Sequence, residues 1–333
     1  MTSLRVVHST VSADDIGALA REHFPIGTVA SCRLLIRGFN DTYELRTASG
    51  ERYALRLGAR PSHRPTDLDY EMAFLGHLAA AGIPVATLVA ARDGRLWKPI
   101  RLPERERPLV LFRFLEGRKP APASIPEARA QANTLARIHV AGKSFTNPPA
   151  RFVLDADHLV RRPVNAIAAL PVMDTNSCSY LDALAARLVR EIDARSAQLT
   201  RCHCHGDCHG FNARITGEAP EPIAALFDFD DGGPGFLAFD LAVFLLSTRT
   251  FMAAERRHLW QPFIEQYQAV NPIGAADLDA IPLFVAARHL WLMGEHAART
   301  DEWGTDGLHE LWLERNIAFL RDWEQSQLSP SLI

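Results

Sequence analysis

Hydrophobic and polar positions change period in a definite order along the chain. Ser12 followed by Asp15 has the form of a helix start, and the spacing predicts a helix running to about Glu22. Three β-patterned runs follow at Ser31–Arg37, Thr42–Thr47 and Arg52–Leu57. Gly38-Phe39-Asn40-Asp41 and Ala48-Ser49-Gly50-Glu51 separate them, both with turn chemistry. From Asp67 to Ala81, Leu68, Met72, Leu75, Leu78 and Ala79 recur at helical spacing, and Gly82 followed by Pro84 supplies the stop. Further strands are predicted around Gly94–Pro99 and Leu109–Phe114, with a Pro/Arg/Glu-rich loop between them. The first third therefore reads as a sheet of about five strands with a helix inserted after the third.

Leu115-Glu116-Gly117 opens a Pro-rich stretch to Pro126, which divides the chain into an N-terminal lobe, residues 1–115, and a C-terminal lobe, residues 116–333. Beyond it the pattern is helical, at about Pro126–Val140, Asp155–Leu170 and Tyr180–Leu199. A polar, irregular segment from Cys202 to Pro234 contains two brief apolar strands. Helices resume near Leu237–Thr248, Ala254–Ala269, Ala276–Ala298 and Leu308–Glu324. The expected architecture is α+β: a sheet lobe, then a helical lobe interrupted by a polar site.

Composition agrees. The chain has 333 residues, 47% hydrophobic and 23% charged, which suits a globular protein of two lobes with a large core. A net charge of −3 gives no global attraction to nucleic acid or to an anionic membrane. The longest apolar stretch, Phe236–Leu246, is interrupted by Asp240 and falls short of the ~18 residues a bilayer span needs. Arg5, His8, Asp14 and Asp15 break up any apolar signal core, and five cysteines without framework spacing read as reduced thiols, so a cytoplasmic protein is expected. Of 36 basic residues only Lys98, Lys119 and Lys143 are lysines, so no lysine precedes Lys98.

Candidate chemistry concentrates in His205-Gly206-Asp207-Cys208-His209-Gly210-Phe211-Asn212. Sixteen residues after Asn212, Asp228-Phe229-Asp230-Asp231-Gly232 follows the apolar run Ile223–Phe227. An apolar strand ending in acids and Gly puts carboxylates at a sheet edge. Asp207, Asn212 and Asp228 thus offer one base and two oxygen ligands, a set suited to Mg²⁺ on phosphates and matching the parts of a phosphoryl-transfer site.

These residues, with Phe239-Asp240-Leu241-Ala242, resemble the aminoglycoside phosphotransferase and choline kinase family, which includes homoserine and methylthioribose kinases. A bacterial branch, the stress-response serine/threonine kinases, is similar too and carries Asp-x-Asp-Asp at the second site. The resemblance spans nearly the whole chain, including Glu71 and the Gly82-Ile83-Pro84-Val85 stop. It implies a protein-kinase-like bilobal fold and an ATP- and Mg²⁺-dependent phosphotransferase. Asp207 is then expected to orient the acceptor hydroxyl and accept its proton, and Asn212 and Asp228 to hold Mg²⁺. His205 and Asp240 would brace the catalytic loop, and the backbone at Arg113 and Leu115 would meet the adenine.

The chain departs from the family pattern twice. Where the wider kinase fold has a lysine on the third strand, Tyr53-Ala54-Leu55-Arg56-Leu57 has Arg56, read here as the partner of Glu71. Many members of the family carry Arg at this place, and Arg keeps the charge while binding phosphate bidentately. No glycine-rich phosphate loop is present, and Gly38-Phe39-Asn40-Asp41-Thr42 is the candidate cover.

The acceptor expected first is a small-molecule alcohol, such as an amino-alcohol, homoserine or an aminoglycoside. A serine/threonine protein is the alternative, and a non-catalytic nucleotide sensor a third reading. Residues 271–333 hold ten acids, four arginines, no lysine and Trp291, Trp303, Trp312 and Trp323. That combination suits a cationic acceptor, or else plain amphipathic helices with buried Trp stripes. Six Cys/His in Cys202–His209 suggest zinc, but no second close pair accompanies them, and Cys208-His209 lacks an orienting third group for nucleophilic catalysis. Asp230 and Asp231 are either extra metal ligands or surface acids after a turn.

Overall fold

Ser12 caps the first helix, α1 (Ala13–His23), by accepting the Asp15 N–H at 3.1 Å, as its sequence position predicts. The computed structural model from which this is read describes residues 5–59, 63–248 and 253–328. Five strands follow: β1 (Val29–Arg37), β2 (Asn40–Thr47), β3 (Arg52–Gly58), β4 (Lys98–Arg101) and β5 (Glu106–Arg113). They form one antiparallel sheet in the order β1-β2-β3-β5-β4. The fourth strand starts later than the hydrophobic pattern suggests, because residues 92–94 form a turn.

Alternation in β3 and β5 decides which residues reach the cleft. Tyr53, Leu55 and Leu57 share one face with Leu109 and Leu111 and bury Ile16 and Ala20 of α1 and Phe24 just after it. The opposite parity, with Arg56 opposite Val110 and Ala54 opposite Phe112, faces the other way. There Val110 and Phe112 join the core made with the second helix, α2 (Pro65–Ala80). Leu68, Met72, Leu75 and Leu78 of α2 are buried, as their spacing predicts. Gly82 ends the turn after α2 at φ +68°, and Ile83 N–H bonds back to the Leu78 carbonyl at 3.0 Å.

The helical lobe comprises α3 (Ile125–Gly142), α4 (Arg162–Ala168), α5 (Thr175–Arg195), α6 (Leu237–Ser247), α7 (Ala253–Val270), α8 (Ala275–Ala297), α9 (Thr300–Trp303) and α10 (Glu310–Trp323). Where one helix is expected over Asp155–Leu170, a π turn at Asp157–Arg161 precedes α4, with Pro163 in the first turn of the latter. α6 is buried along nearly its whole length and packs on α8. Among the described residues no helix is long and apolar enough to cross a membrane.

The polar interruption holds four strands rather than two: β6 (Arg201–Cys204), β7 (Ala213–Thr216), β8 (Ile223–Leu226) and β9 (Gly233–Phe236). β6 pairs with β9 and β7 with β8, both antiparallel. Gly233-Pro234-Gly235-Phe236 has no alternation to announce a strand. It forms one because glycine permits close approach: a Cβ on Gly235 would lie 2.9 Å from Leu154 Cβ, and one on Gly233 2.9 Å from the Phe152 carbonyl.

Candidate active site

The two hairpins bring the loop after β6 against the loop after β8. Asp240, in the first turn of α6, accepts the His205 N–H at 2.6 Å and the Gly206 N–H at 2.8 Å. His139 Nε2 lies 2.9 Å from the same carboxylate, and Cys208 Sγ donates to the Asp240 carbonyl at 3.0 Å. Gly206 adopts φ +85°, and a Cβ there would sit 2.2 Å from the Asp231 carbonyl. Glycine is therefore required, both for the left-handed conformation and for the backbone contact. His205 Nδ1 accepts the Asp207 N–H at 3.2 Å, so His205 and Asp240 brace the loop as expected.

Asp207 is thereby fixed with both oxygens engaged. Oδ2 accepts from Asn212 Nδ2 at 2.8 Å and lies 3.2 Å from His209 Nε2. Oδ1 is held by Arg288 Nη2 from α8. Burial works against the charge of Asp207, but Arg288 and then His209 outweigh it and hold the carboxyl well below the usual aspartate range. The side chain stays 16% exposed and so open to solvent.

Asn212 joins this loop to the acidic one. Its backbone carbonyl accepts the Phe227 N–H at 3.1 Å, next to Asp228. Donating its side-chain NH₂ to Asp207 leaves Asn212 Oδ1 as the atom open to a cation. Asp228 stands at φ +70°, a strained conformation for a non-glycine residue of the kind found at functional sites. Partial burial, and next the charge of Asp230, push its carboxyl above the usual range, against the pull of Arg56. A crowd of carboxylates with an amide oxygen beside it is a hard-oxygen set whose repulsion a divalent cation relieves, so these residues fit Mg²⁺.

Arg56 and Glu71 form the ion pair that the resemblance implies. Arg56 Nη2 lies 2.7 Å from Glu71 Oε2, both groups buried, and Arg56 Nη1 lies 3.5 Å from Asp228 Oδ1. The guanidinium also sits 5.5 Å from the centre of the Phe112 ring. Arg113 and Leu115 lie at and just beyond the end of β5. The Arg113 N–H donates to the Thr87 carbonyl at 2.8 Å, so only its carbonyl is open to a ligand, and its side chain is taken by Glu51 at 3.2 Å.

The Gly38–Thr42 segment folds over the acidic loop. Asn40 Nδ2 donates to Asp230 Oδ2 at 2.7 Å, and Phe39 packs against His296 and Trp303 with ring centres 5.7 and 5.2 Å apart. Asp230 and Asp231 are both buried, which removes the reading of them as surface acids. Trp291 is buried while Trp303 is 42% exposed, and each carries one of the chain's own cations, Arg288 at 4.2 Å and Arg299 at 5.0 Å. Cys202 and Cys204 lie on β6, with their sulfurs 3.6 Å apart.

Three residues of this site escape sequence reasoning. Asn40 stands out in the sequence only as part of the candidate cover. Arg151 donates to the carbonyls of Gly232 at 2.7 Å and Asp67 at 2.6 Å, tying the acidic turn to α2. Arg288 reaches Asp207 across 81 positions of sequence. In a chain with 33 arginines the residue type alone carries no signal.

The model of the phosphotransferase enzyme family matches residues 33–281. The chain belongs to this family. A protein of Deinococcus radiodurans described as uncharacterized is 37% identical over 97% of this chain and 93% of its own. A homoserine kinase of Rhodospirillum rubrum is 29% identical over 83% of each. Among solved structures, a microcompartment-associated aminopropanol kinase superposes with a TM-score of 0.78, covering 94% of this chain and 98% of its own at 21% identity. The kinase-like α+β fold expected from the sequence is thus present, and this family member is a phosphotransferase of the kinase type.

Proposed function

We propose that this phosphotransferase moves the γ-phosphoryl group of ATP to the hydroxyl of a small molecule. The observation that carries the reading is the placement of Asp207. Its carboxylate is oriented by Asn212, whose backbone abuts Asp228, which in turn lies against the Arg56–Glu71 pair. Asp207 aligns the acceptor hydroxyl for in-line attack and takes its proton as the new P–O bond forms and the bond to the ADP oxygen breaks. Arg56, held straight by Glu71, faces the phosphates. Asn212 Oδ1 and the Asp228 carboxylate would hold Mg²⁺, which would supply positive charge to offset that of the phosphates. The Arg113 carbonyl and the backbone of Leu115 border the adenine. Most of the acceleration comes from positioning and fixed charge, since phosphoryl transfer needs little covalent help. The small-alcohol class is supported by the relatives, a homoserine kinase by sequence and an aminopropanol kinase by fold.

The test is ADP release from Mg-ATP across amino-alcohols, homoserine, sugars, aminoglycosides and a generic protein, with Asp207→Asn alongside. Turnover on a small alcohol that falls roughly 10²–10⁴-fold in the variant, with nucleotide affinity kept, is the expected result. Phosphate appearing only on protein overturns the small-molecule reading, and near-normal turnover by Asp207→Asn overturns the mechanism.

A further inference from the structure

Asp207 must offer an oxygen to the acceptor hydroxyl, yet Oδ1 is capped by Arg288 and Oδ2 is shared by Asn212 and His209. Arg288 is 3% exposed, and its Nη1 is buried without a hydrogen-bond partner among the described residues. A buried guanidinium that pairs one carboxylate oxygen and leaves a terminal nitrogen orphaned is under-satisfied, because each unpaired buried donor of a charged group is costly. Its plane is set by the Trp291 ring, 4.2 Å away, and Trp291 in turn meets His158, which stacks on Phe152 with ring centres 4.6 Å apart.

Arg288 also approaches the site from a different lobe than Arg56 does. It reaches Asp207 from α8 of the helical lobe, whereas Asp228 is met by Arg56 from the sheet lobe. The two arginines therefore flank the reacting centre from opposite lobes. Arg56 is satisfied by Glu71, while Arg288 has a free donor and a partner that the reaction needs back.

We propose that Arg288 is the acceptor-specificity residue and that it selects alcohols bearing a carboxylate close to the reacting hydroxyl. The substrate carboxylate takes the Arg288 fork, which fits a carboxylate bidentately, and Asp207 Oδ1 passes to the hydroxyl. One exchange satisfies Nη1 and uncaps the base. An alcohol without the anion leaves Arg288 on Asp207, so the enzyme discriminates by failing to free its own carboxylate. This inference rests on the kinase reading above and narrows its acceptor to hydroxy acids and hydroxy-amino acids.

The experiment compares acceptors that differ only in the carboxylate: L-homoserine with 3-amino-1-propanol, L-serine with 2-aminoethanol, and 4-hydroxybutyrate with 1-propanol. Each is assayed with Mg-ATP on wild type, Arg288→Lys and Arg288→Met. In at least one pair wild type prefers the carboxylate member by on the order of 100-fold in kcat/KM. Arg288→Met abolishes that preference, raising KM for the carboxylate member and kcat for the carboxylate-free one, and Arg288→Lys keeps part of it. AMP-PNP binding of both variants, expected unchanged, reports that they are folded. Wild-type turnover confined to carboxylate-free alcohols overturns the inference while the kinase reading stands. An equal loss on both members of each pair overturns it too, since Arg288 then serves the phosphoryl group or the loop itself. No turnover on any acceptor, with nucleotide bound, overturns both readings.

Discussion

Asp240 on α6 accepts two consecutive backbone N–H groups, those of His205 and Gly206, at 2.6 and 2.8 Å. The carboxylate thus shapes the loop that carries Asp207 without approaching the reacting atoms. Asp240→Asn turns an NH₂ group toward a backbone N–H or toward His139, leaving a buried donor unpaired. A loss of about 1–3 kcal/mol of stability is expected. Urea unfolding measures it, and kcat falls more than KM for ATP because the loop, not the nucleotide site, is disturbed.

Glu71 isolates the Arg56 contribution. Glu71→Gln leaves Arg56 buried and paired only with Asp228 at 3.5 Å, which draws the guanidinium toward the acidic loop. Breaking a buried pair costs about 3–5 kcal/mol. The expected outcome is a lower midpoint in denaturant together with a raised KM for ATP, and little change in the acceptor preference among alcohols.

Gly206→Ala tests the contact between the two loops. With φ at +85° and the Asp231 carbonyl 2.2 Å from the new Cβ, the loops must separate. Strain of about 1–3 kcal/mol from the backbone conformation alone is expected, with the clash in addition. Activity drops sharply while far-ultraviolet circular dichroism of the folded variant is unchanged. Wild-type activity in this variant would show that the loops are not held as described.

Glu44 predicts an acid limit to stability. Its carboxylate on β2 is buried, which alone would raise its pKa. Hydrogen bonds from Arg33 at 2.8 Å and Arg52 at 2.9 Å outweigh this and lower it. A carboxyl lowered on folding contributes in full above the unfolded value near ~4.3, and the contribution is lost as pH falls through the native value. Glu44→Gln is accordingly less stable than wild type at pH 7, and the two converge as the pH drops below about 4. Parallel stability curves from pH 7 to pH 3 would contradict this.

Much of this protein was legible in the order of its residues. The spacing predicted a third strand over Arg52–Leu57 and a helix from Asp67, the elements on which the resemblance seats Arg56 and Glu71. The chemistry-bearing types in His205–Asn212 and at Asp228 stand close enough in sequence to be recognised together. These signals are local: a period of two or of 3.6, or a few unusual residues at fixed spacing.

What only the tertiary structure decided lies in contacts between distant residues. The Gly-Pro-Gly-Phe strand β9 exists because β6 and Leu154 close around it, not because of any propensity of its own. Asn40 meets Asp230 across 190 positions, and Arg288 meets Asp207 across 81. Neither pairing leaves a periodic trace, since the chain between the partners can vary without changing the contact. A single arginine among 33 acquires its meaning only from the carboxylate it is folded against.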